Sequence, residues 1–267
     1  MIAKINGSLM AYEEVGQGPA VLLLHDLPLN RQMWRPQLNA LAAQGFRVIA
    51  PDLLGLIENG RNVLNLRHYT ACIIALMRYL GVGRAVMVGA GVANELILEI
   101  LRKHPRRIAG ISLFSPSHLP CAADNLLQCE DLAELVREGC RTTATDILCE
   151  RMLSDCRSLH SRQLTLQVQS WINEIDKELL AKVLLVSGGT PWPETLKVPM
   201  QIIQGSRACG QGAEAVSLPT TAHLDIISGA GHLANLEQPE RVNRCLLDFL
   251  SWLNLVKPRH GHQALAA

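Results

Sequence analysis

The stretch Val86-Met87-Val88-Gly89-Ala90-Gly91-Val92-Ala93-Asn94 joins an apolar run to an amphipathic run across two glycines. We predict a strand over Ala85–Val88 and a helix over Val92–His104, which ends where Pro105 removes a backbone donor. The next apolar run, Ile108–Phe114, has the length and composition of another strand. A strand, a helix and a second strand in this order indicate two parallel strands joined by a crossover helix.

The same alternation extends in both directions from this stretch. We predict further strands over Leu9–Glu14, Ala20–Leu24, Arg47–Ala50, Met200–Gln204 and Leu224–Ile227, and further helices over Arg35–Ala43, Tyr69–Leu80 and Pro239–Leu253. Repeated strand–helix units predict an α/β fold with a mostly parallel central sheet and helices on both faces.

The pattern changes in the segment 117–197, which is polar, rich in cysteine and helical in its apolar spacing. Val183–Val186 is an ambiguous short strand within it. We predict a helical lid insertion over the carboxyl edge of the sheet, where open α/β sheets bind ligands. The core then comprises residues 1–116 and 198–256, and 257–267 is predicted to be a flexible tail.

The composition of the 267 residues limits the partners. A formal net charge of +1 disfavours nucleic acid and anionic membranes. The sequence has no signal-peptide pattern and no apolar run of the ~18 residues that a membrane helix needs, which predicts a cytoplasmic protein. The eight cysteines form no C-x-x-C pair, so we expect buried reduced thiols and no metal site. No phosphate loop or dinucleotide fingerprint is present, and we expect no cofactor.

Four stretches resemble the α/β-hydrolase superfamily, in particular its branch of small esterases, C–C hydrolases and haloperoxidase-like proteins. Leu22–Pro28 corresponds to the oxyanion strand with its H-G-x-P turn, and Val48–Gly55 corresponds to the next strand and loop. Val86–Asn94 corresponds to the nucleophile elbow, and Gly229–Glu240 corresponds to the loop of the catalytic histidine with the final helix. The resemblance covers nearly the whole chain and is weakest in the predicted lid.

The elbow departs from the pattern of this superfamily. Its members carry G-x-S-x-G at the turn, with the serine as nucleophile. Here Gly89 keeps the first position and Ala93 is a small residue at the last, but Gly91 occupies the nucleophile position. Glycine adopts the positive φ of such a turn without strain, so the turn persists without its nucleophile.

The acid is also absent from its usual place. The resemblance puts it in the loop after Met200–Gln204, where this chain has Gly205-Ser206-Arg207-Ala208-Cys209. Asp225 opens a predicted strand and lies too far along it from His232 to serve. Asp124, beyond the strand Ile108–Phe114, is a weak substitute. The resemblance therefore implies a degenerate catalytic triad.

The sequence Gly229-Ala230-Gly231-His232 matches the histidine loop. His232 is either a base or a relic that only lines the pocket. Ser206 is a candidate to orient its ring, and Ser115, after a central strand, is a candidate hydroxyl.

The predicted oxyanion turn carries the remaining candidates for ligand binding. His25 is expected to bond to nearby backbone, and Asp26 replaces the glycine of H-G-x-P. A carboxylate here opposes developing negative charge unless it points away. The backbone N–H groups of Leu27 and Val92 are predicted to form a donor pair for a ligand oxygen.

Three functional hypotheses follow. The first is a non-hydrolytic protein that binds a small apolar or carbonyl-containing molecule in the inherited pocket. The second is a hydrolase- or lyase-type enzyme that acts on a small ester or carbonyl substrate with His232 as base. The third is a scaffold that binds a protein partner through the lid. Trp171 and Trp192 either contact an apolar ligand or pack in the core, and core packing is favoured. The sequence gives no oligomeric state.

Overall fold

A computed structural model describes residues 1–54, 65–116, 122–154, 159–185, 197–208 and 222–255. Its centre is an eight-stranded sheet in the order β1-β2-β4-β3-β5-β6-β7-β8. In chain order the strands are β1 (Ile2–Ile5), β2 (Ser8–Val15), β3 (Ala20–Leu24), β4 (Arg47–Pro51), β5 (Ala85–Ala90), β6 (Ile108–Phe114), β7 (Met200–Gly205) and β8 (Ala222–Ile227). β1 pairs antiparallel with β2 and β2 with β4, and every other pairing is parallel.

Helices surround this sheet in the described ranges. They are α1 (Arg35–Ala43), α2 (Leu66–Tyr79), α3 (Ala93–Lys103), α4 (Ala122–Arg137), α5 (Arg141–Met152), α6 (Leu159–Asn173), α7 (Lys177–Leu184), α8 (Ala234–Glu237) and α9 (Pro239–Trp252). Short 3-10 turns cover Arg31–Trp34 and Pro105–Arg107. The predicted α/β class with a mostly parallel sheet is confirmed.

The two faces of the sheet bury separate apolar layers. In the fully buried β3, Val21 and Leu23 join one core cluster, whereas Leu22 and Leu24 join the other. Successive side chains of a strand point to opposite faces, so a strand covered on both sides is apolar without interruption. This burial explains why the apolar run predicted β3 with its observed bounds.

Within its described residues, the segment between β6 and β7 folds into the four helices α4 to α7 and contains no strand. Leu132, Leu148, Val168 and Leu180, one from each of α4 to α7, share a core cluster with Phe114 at the carboxyl end of β6. These helices therefore pack at the edge of the sheet where a ligand site was predicted. The division at 117–197 stays a prediction, and the predicted tail 257–267 lies outside the described residues.

Two details of the sequence prediction were wrong. The ambiguous strand at Val183–Val186 is instead helical as far as Leu184, the end of α7, where Leu180, Val183 and Leu184 are buried at helical spacing. Asp176 caps the start of this helix by accepting from the N–H groups of Glu178 and Leu179. Strand β1 was missed, although Asn6-Gly7 links it to β2 with positive φ at both residues. Asn-Gly between two short strands is the usual sequence of such a hairpin turn.

Trp171 is buried in the core, as its packing role predicts, whereas Trp192 lies outside the described residues. Within the described ranges, no helix combines the length and the hydropathy required to cross a bilayer.

Candidate functional site

The turn between β5 and α3 has the shape of a nucleophile elbow. Gly91 has φ +51, and its N–H donates to the carbonyl of Phe114 at 3.2 Å. The Asn94 amide donates to the same carbonyl at 2.9 Å. These bonds hold the turn against the end of β6. Gly91 therefore keeps the backbone of the elbow without a side chain.

The carboxylate of Asp26 fills this elbow from the neighbouring turn after β3. Its Oδ1 accepts from the N–H of Leu27 at 2.8 Å and from the N–H of Val92 at 3.0 Å. Its Oδ2 lies 2.7 Å from Nε2 of His232. The side chain of Asp26 is only 5% exposed. The expectation that Leu27 and Val92 offer free donors to a ligand oxygen was wrong, because Asp26 points inward and accepts from both.

Asp26 also occupies the space of the missing nucleophile. A Cβ atom placed on Gly91 would lie 2.0 Å from Oδ1 of Asp26 and 2.2 Å from its Cγ. No side chain fits at residue 91 while Asp26 holds this position. The two departures from the superfamily pattern, at residues 26 and 91, are thus sterically coupled.

His232 lies beside Asp26, in the loop after β8, and its side chain is 23% exposed. Because an ionised carboxylate only accepts hydrogen bonds, the contact with Asp26 assigns a proton to Nε2. In a serine triad this nitrogen faces the nucleophile and accepts its proton. Here it donates to Asp26 instead, and the ring is held without a nucleophile.

The two hydroxyls predicted near His232 bond to backbone. The Ser206 hydroxyl accepts from the N–H of Gly229 at 2.8 Å, so it shapes the histidine loop rather than orienting the ring. The Ser115 hydroxyl donates to the carbonyl of His232 at 3.3 Å. Both serines adjoin the loop, but neither forms a hydrogen bond with the imidazole in the described part of the chain.

Asp26 is the one carboxylate within 4 Å of the His232 ring nitrogens among the described residues. Asp225 accepts from the Gln201 amide at 2.8 Å and lies near His223, as expected for a residue that does not serve His232. The side chain of Asp124 lies outside the described residues. The part of the chain that the structure describes contains no group of three or more His, Cys, Asp or Glu side chains able to hold a metal.

His25 is buried and supports the turn that carries Asp26. Its Nδ1 donates to the carbonyl of Asp26 at 2.8 Å, and its Nε2 accepts from the N–H of Leu53 at 2.7 Å. One neutral tautomer satisfies both bonds. The neighbouring Asp52 pairs with Arg31. Burial opposes the charge of Asp52, but the Arg31 guanidinium beside it holds its pKa below the ordinary value.

Sequence reasoning missed the role of Glu237. Its carboxylate accepts from the N–H of Gly231 at 2.6 Å and from the N–H of Ser154 at 2.7 Å, and the Ser154 hydroxyl donates to it as well. The Leu233 N–H donates to the carbonyl of Met152. The histidine loop is thus fastened to the end of α5. Glu237 lies within the recognised loop motif, but only the folded chain brings Ser154 to it.

A small apolar cleft lies beside the elbow, on the α2 and α3 side. It has room for about one water molecule, and it is lined by Leu27, Leu53, Leu66, Tyr69, Val92, Ala93 and Leu96. The Tyr69 hydroxyl is buried without a partner among the described residues, and burial raises its pKa. Sequence reasoning gave no signal for this residue.

The sheet order, the elbow and the histidine loop define an α/β-hydrolase architecture. A family model described as "Alpha/beta hydrolase family" matches residues 21–244, and the chain belongs to this family.

Several relatives of the chain carry the names of enzymes. An epoxide hydrolase of Caballeronia sordidicola is 38% identical over 88 residues, which cover 32% of this chain and only 27% of that relative. Epoxide hydrolase 1 of Siraitia grosvenorii is 25% identical over 92% of this chain and 96% of its own length. A thermophilic esterase from Thermogutta terrifontis superposes with a TM-score of 0.77 at 24% identity, covering 95% of this chain and 99% of the esterase. This last likeness shows the shared fold.

Proposed function

We propose that this member of the α/β-hydrolase family binds a small molecule at the elbow and does not hydrolyse it by serine chemistry. The observation that carries the proposal is the position of Asp26. Its carboxylate fills the space of the nucleophile and accepts from both N–H groups that would otherwise stabilise an oxyanion.

Each of these features removes one requirement of acyl transfer. Without a hydroxyl or thiol at residue 91, no covalent intermediate forms at the elbow. A carboxylate at the oxyanion position repels the negative charge that develops on a carbonyl oxygen. Loss of the nucleophile alone lowers turnover by about 10⁶-fold in a serine hydrolase. Loss of one oxyanion donor lowers it by about 10²–10³-fold.

The competing function is the hydrolysis named for the relatives, which include epoxide hydrolases and an esterase. A fluorophosphonate probe, which labels an activated serine, distinguishes the two. We expect no labelling of the wild-type protein and no release of p-nitrophenol from p-nitrophenyl acetate above that by the protein carrying His232→Ala. Stoichiometric labelling of the wild type at one serine would overturn the proposal.

The matched control restores both departures at once. The double variant Asp26→Gly, Gly91→Ser returns a hydroxyl to the elbow and frees the N–H groups of Leu27 and Val92. We expect this variant to react slowly with the probe, because the new hydroxyl then lies beside His232 while no other carboxylate of the described residues is within 4 Å of the ring nitrogens. Labelling of the double variant but not of the wild type shows that the probe reaches the elbow.

A second function is favoured by the short contact between Asp26 and His232. The carboxylate fixes the ring through Nε2 and leaves Nδ1 as the nitrogen for proton transfer, as in a hydrolase- or lyase-type enzyme with His232 as base. Such an enzyme loses its activity in His232→Ala while its unfolding temperature shows that it still folds. An activity that survives this substitution excludes the second function. Binding of a protein partner through the lid stays a prediction.

A further inference from the structure

Asp26 is bound at the elbow in the way that a carboxylate ligand would be bound. Three donors from three separate elements converge on it: the N–H of Leu27 after β3, the N–H of Val92 at the start of α3, and Nε2 of His232 after β8. The nearly complete burial of the side chain makes these charge-assisted bonds strong. The elbow is therefore a formed receptor for a carboxylate, filled by a side chain of the same protein.

The described segments that form the elbow add no positive charge that would hold a second anion there. Residues 25–29, 89–96, 112–116 and 227–237 contain no Lys or Arg, whereas they include the carboxylates of Asp26, Glu95 and Glu237. The adjoining loop contributes Arg207, which is exposed. Even with His232 protonated, the Asp26–His232 pair carries no net charge. An incoming carboxylate would meet a like charge with both backbone donors already bonded.

We infer that Asp26 is the specificity-determining residue of this site: it excludes carboxylates and other oxyanions, so that the site takes neutral or cationic ligands. This inference rests on the proposed function, because it names the class of ligand that the non-hydrolytic site binds. It also implies that the donors of Leu27, Val92 and His232 become a receptor for a free carboxylate when the side chain of Asp26 is removed.

The removed atoms define the matching probes. Asp26→Gly deletes a CH₂ and a carboxylate, which together have the size of acetate. Asp26→Ala retains Cβ and leaves room for formate. A cavity formed by truncating a side chain binds a small molecule that matches its shape and polarity. Acetate and formate each carry the negative charge that the three donors no longer face once the Asp26 carboxylate is removed.

The experiment measures the thermal unfolding of Asp26→Gly with sodium acetate against sodium chloride at equal ionic strength. We expect acetate at about 100 mM to raise the Tm of Asp26→Gly by roughly 3 °C and to leave the wild type unchanged, since a ligand that binds only the folded state stabilises it. Asp26→Ala should respond to formate more than to acetate. If Asp26→Gly does not fold in chloride, recovery of folded protein in acetate is the expected result.

Asp176→Gly is the matched control. The Asp176 carboxylate also accepts from two backbone N–H groups, those of Glu178 and Leu179. Unlike the bonds of Asp26, these hydrogen bonds are exposed to solvent and no histidine adds a third donor. We expect no response of this variant to acetate. Equal effects of acetate on the wild type and Asp26→Gly, or no response of either Asp26 variant to either anion, would overturn the inference. Fluorophosphonate labelling of the wild type would instead overturn the proposed function, so the two failures are distinct.

Discussion

Oδ1 of Asp26 lies 2.0 Å from the point at which Gly91 would carry a Cβ atom. Two atoms without a bond between them do not approach so closely, so Asp26 and a side chain at residue 91 exclude each other. Reverting residue 91 alone therefore cannot restore a hydrolase elbow in this chain. An aspartate at residue 26 can turn inward only in a chain that already has glycine at residue 91. The substitution that produced Gly91 must therefore come before the inward position of Asp26.

The first prediction concerns Gly91→Ser. The new side chain must adopt φ +51 and displace Asp26, and we expect a loss of about 3 kcal/mol in the free energy of unfolding from overpacking and backbone strain together. The companion change Asp26→Gly removes the overlap, so the double variant should recover more than about 1 kcal/mol of that loss. Urea unfolding of the four proteins in this cycle measures the coupling.

Gly81→Ser separates backbone strain from overlap. Gly81 has φ +67, and a Cβ there would meet nothing within 4 Å, so this variant should lose only about 1 kcal/mol. If Gly91→Ser costs no more than Gly81→Ser, or if the two changes at residues 26 and 91 add independently, the coupling inferred from the structure is absent.

The sequence was sufficient for every strand of the described sheet except β1, but not for the site. Ala20–Leu24 and Ile108–Phe114 were predicted with their observed bounds, because a strand buried on both faces is a continuous apolar run between turn residues. The direction of the Asp26 side chain depends on Val92 and His232, which are 66 and 206 residues away. No local pattern records such a contact, so the sequence showed the exchanged residue at position 26 but not where it points.

The second prediction concerns the link between the histidine loop and α5. Glu237→Ala leaves the N–H groups of Gly231 and Ser154 without their acceptor, and we expect a loss of about 2 kcal/mol in the free energy of unfolding. Hydrogen exchange should accelerate at both amides, as the loop separates locally from the helix.

Glu240→Ala provides the comparison for Glu237→Ala. Glu240 is exposed in the first turn of α9, three residues further along the chain. This variant should change stability by less than about 0.5 kcal/mol and should leave hydrogen exchange at Gly231 and Ser154 unaltered. Unchanged exchange at these amides in Glu237→Ala would show that the carboxylate does not hold the loop.

The third prediction concerns the thiols. Burial, together with the nearby Asp225 carboxylate, raises the pKa of Cys245 to about 11. Because the thiolate is the reactive form, Cys245 should react with iodoacetamide near neutral pH far more slowly than the exposed Cys140. Peptide mass spectrometry over a time course gives both rates in one sample. Unfolding in urea should bring the two rates close together. A reaction of Cys245 in the folded protein as rapid as that of Cys140 would contradict the raised pKa of Cys245.

The fourth prediction is a dependence of stability on acid that arises at Asp52. The Arg31 guanidinium holds the pKa of Asp52 below its ordinary 3.8 despite burial, so between these two values the unfolded chain binds more protons than the folded one. The contribution of the Asp52 carboxylate to the free energy of unfolding is fully present above about pH 5 and is lost as the pH falls through the pKa that Asp52 has in the folded protein. Asp52→Asn should therefore be less stable than the wild type near neutrality, by about 1–2 kcal/mol, with the difference shrinking in acid. Urea unfolding from pH 7 to pH 2 tests this, with the exposed Asp131→Asn as control; a difference that stays constant with pH would show that Asp52 contributes through its shape and not through its charge.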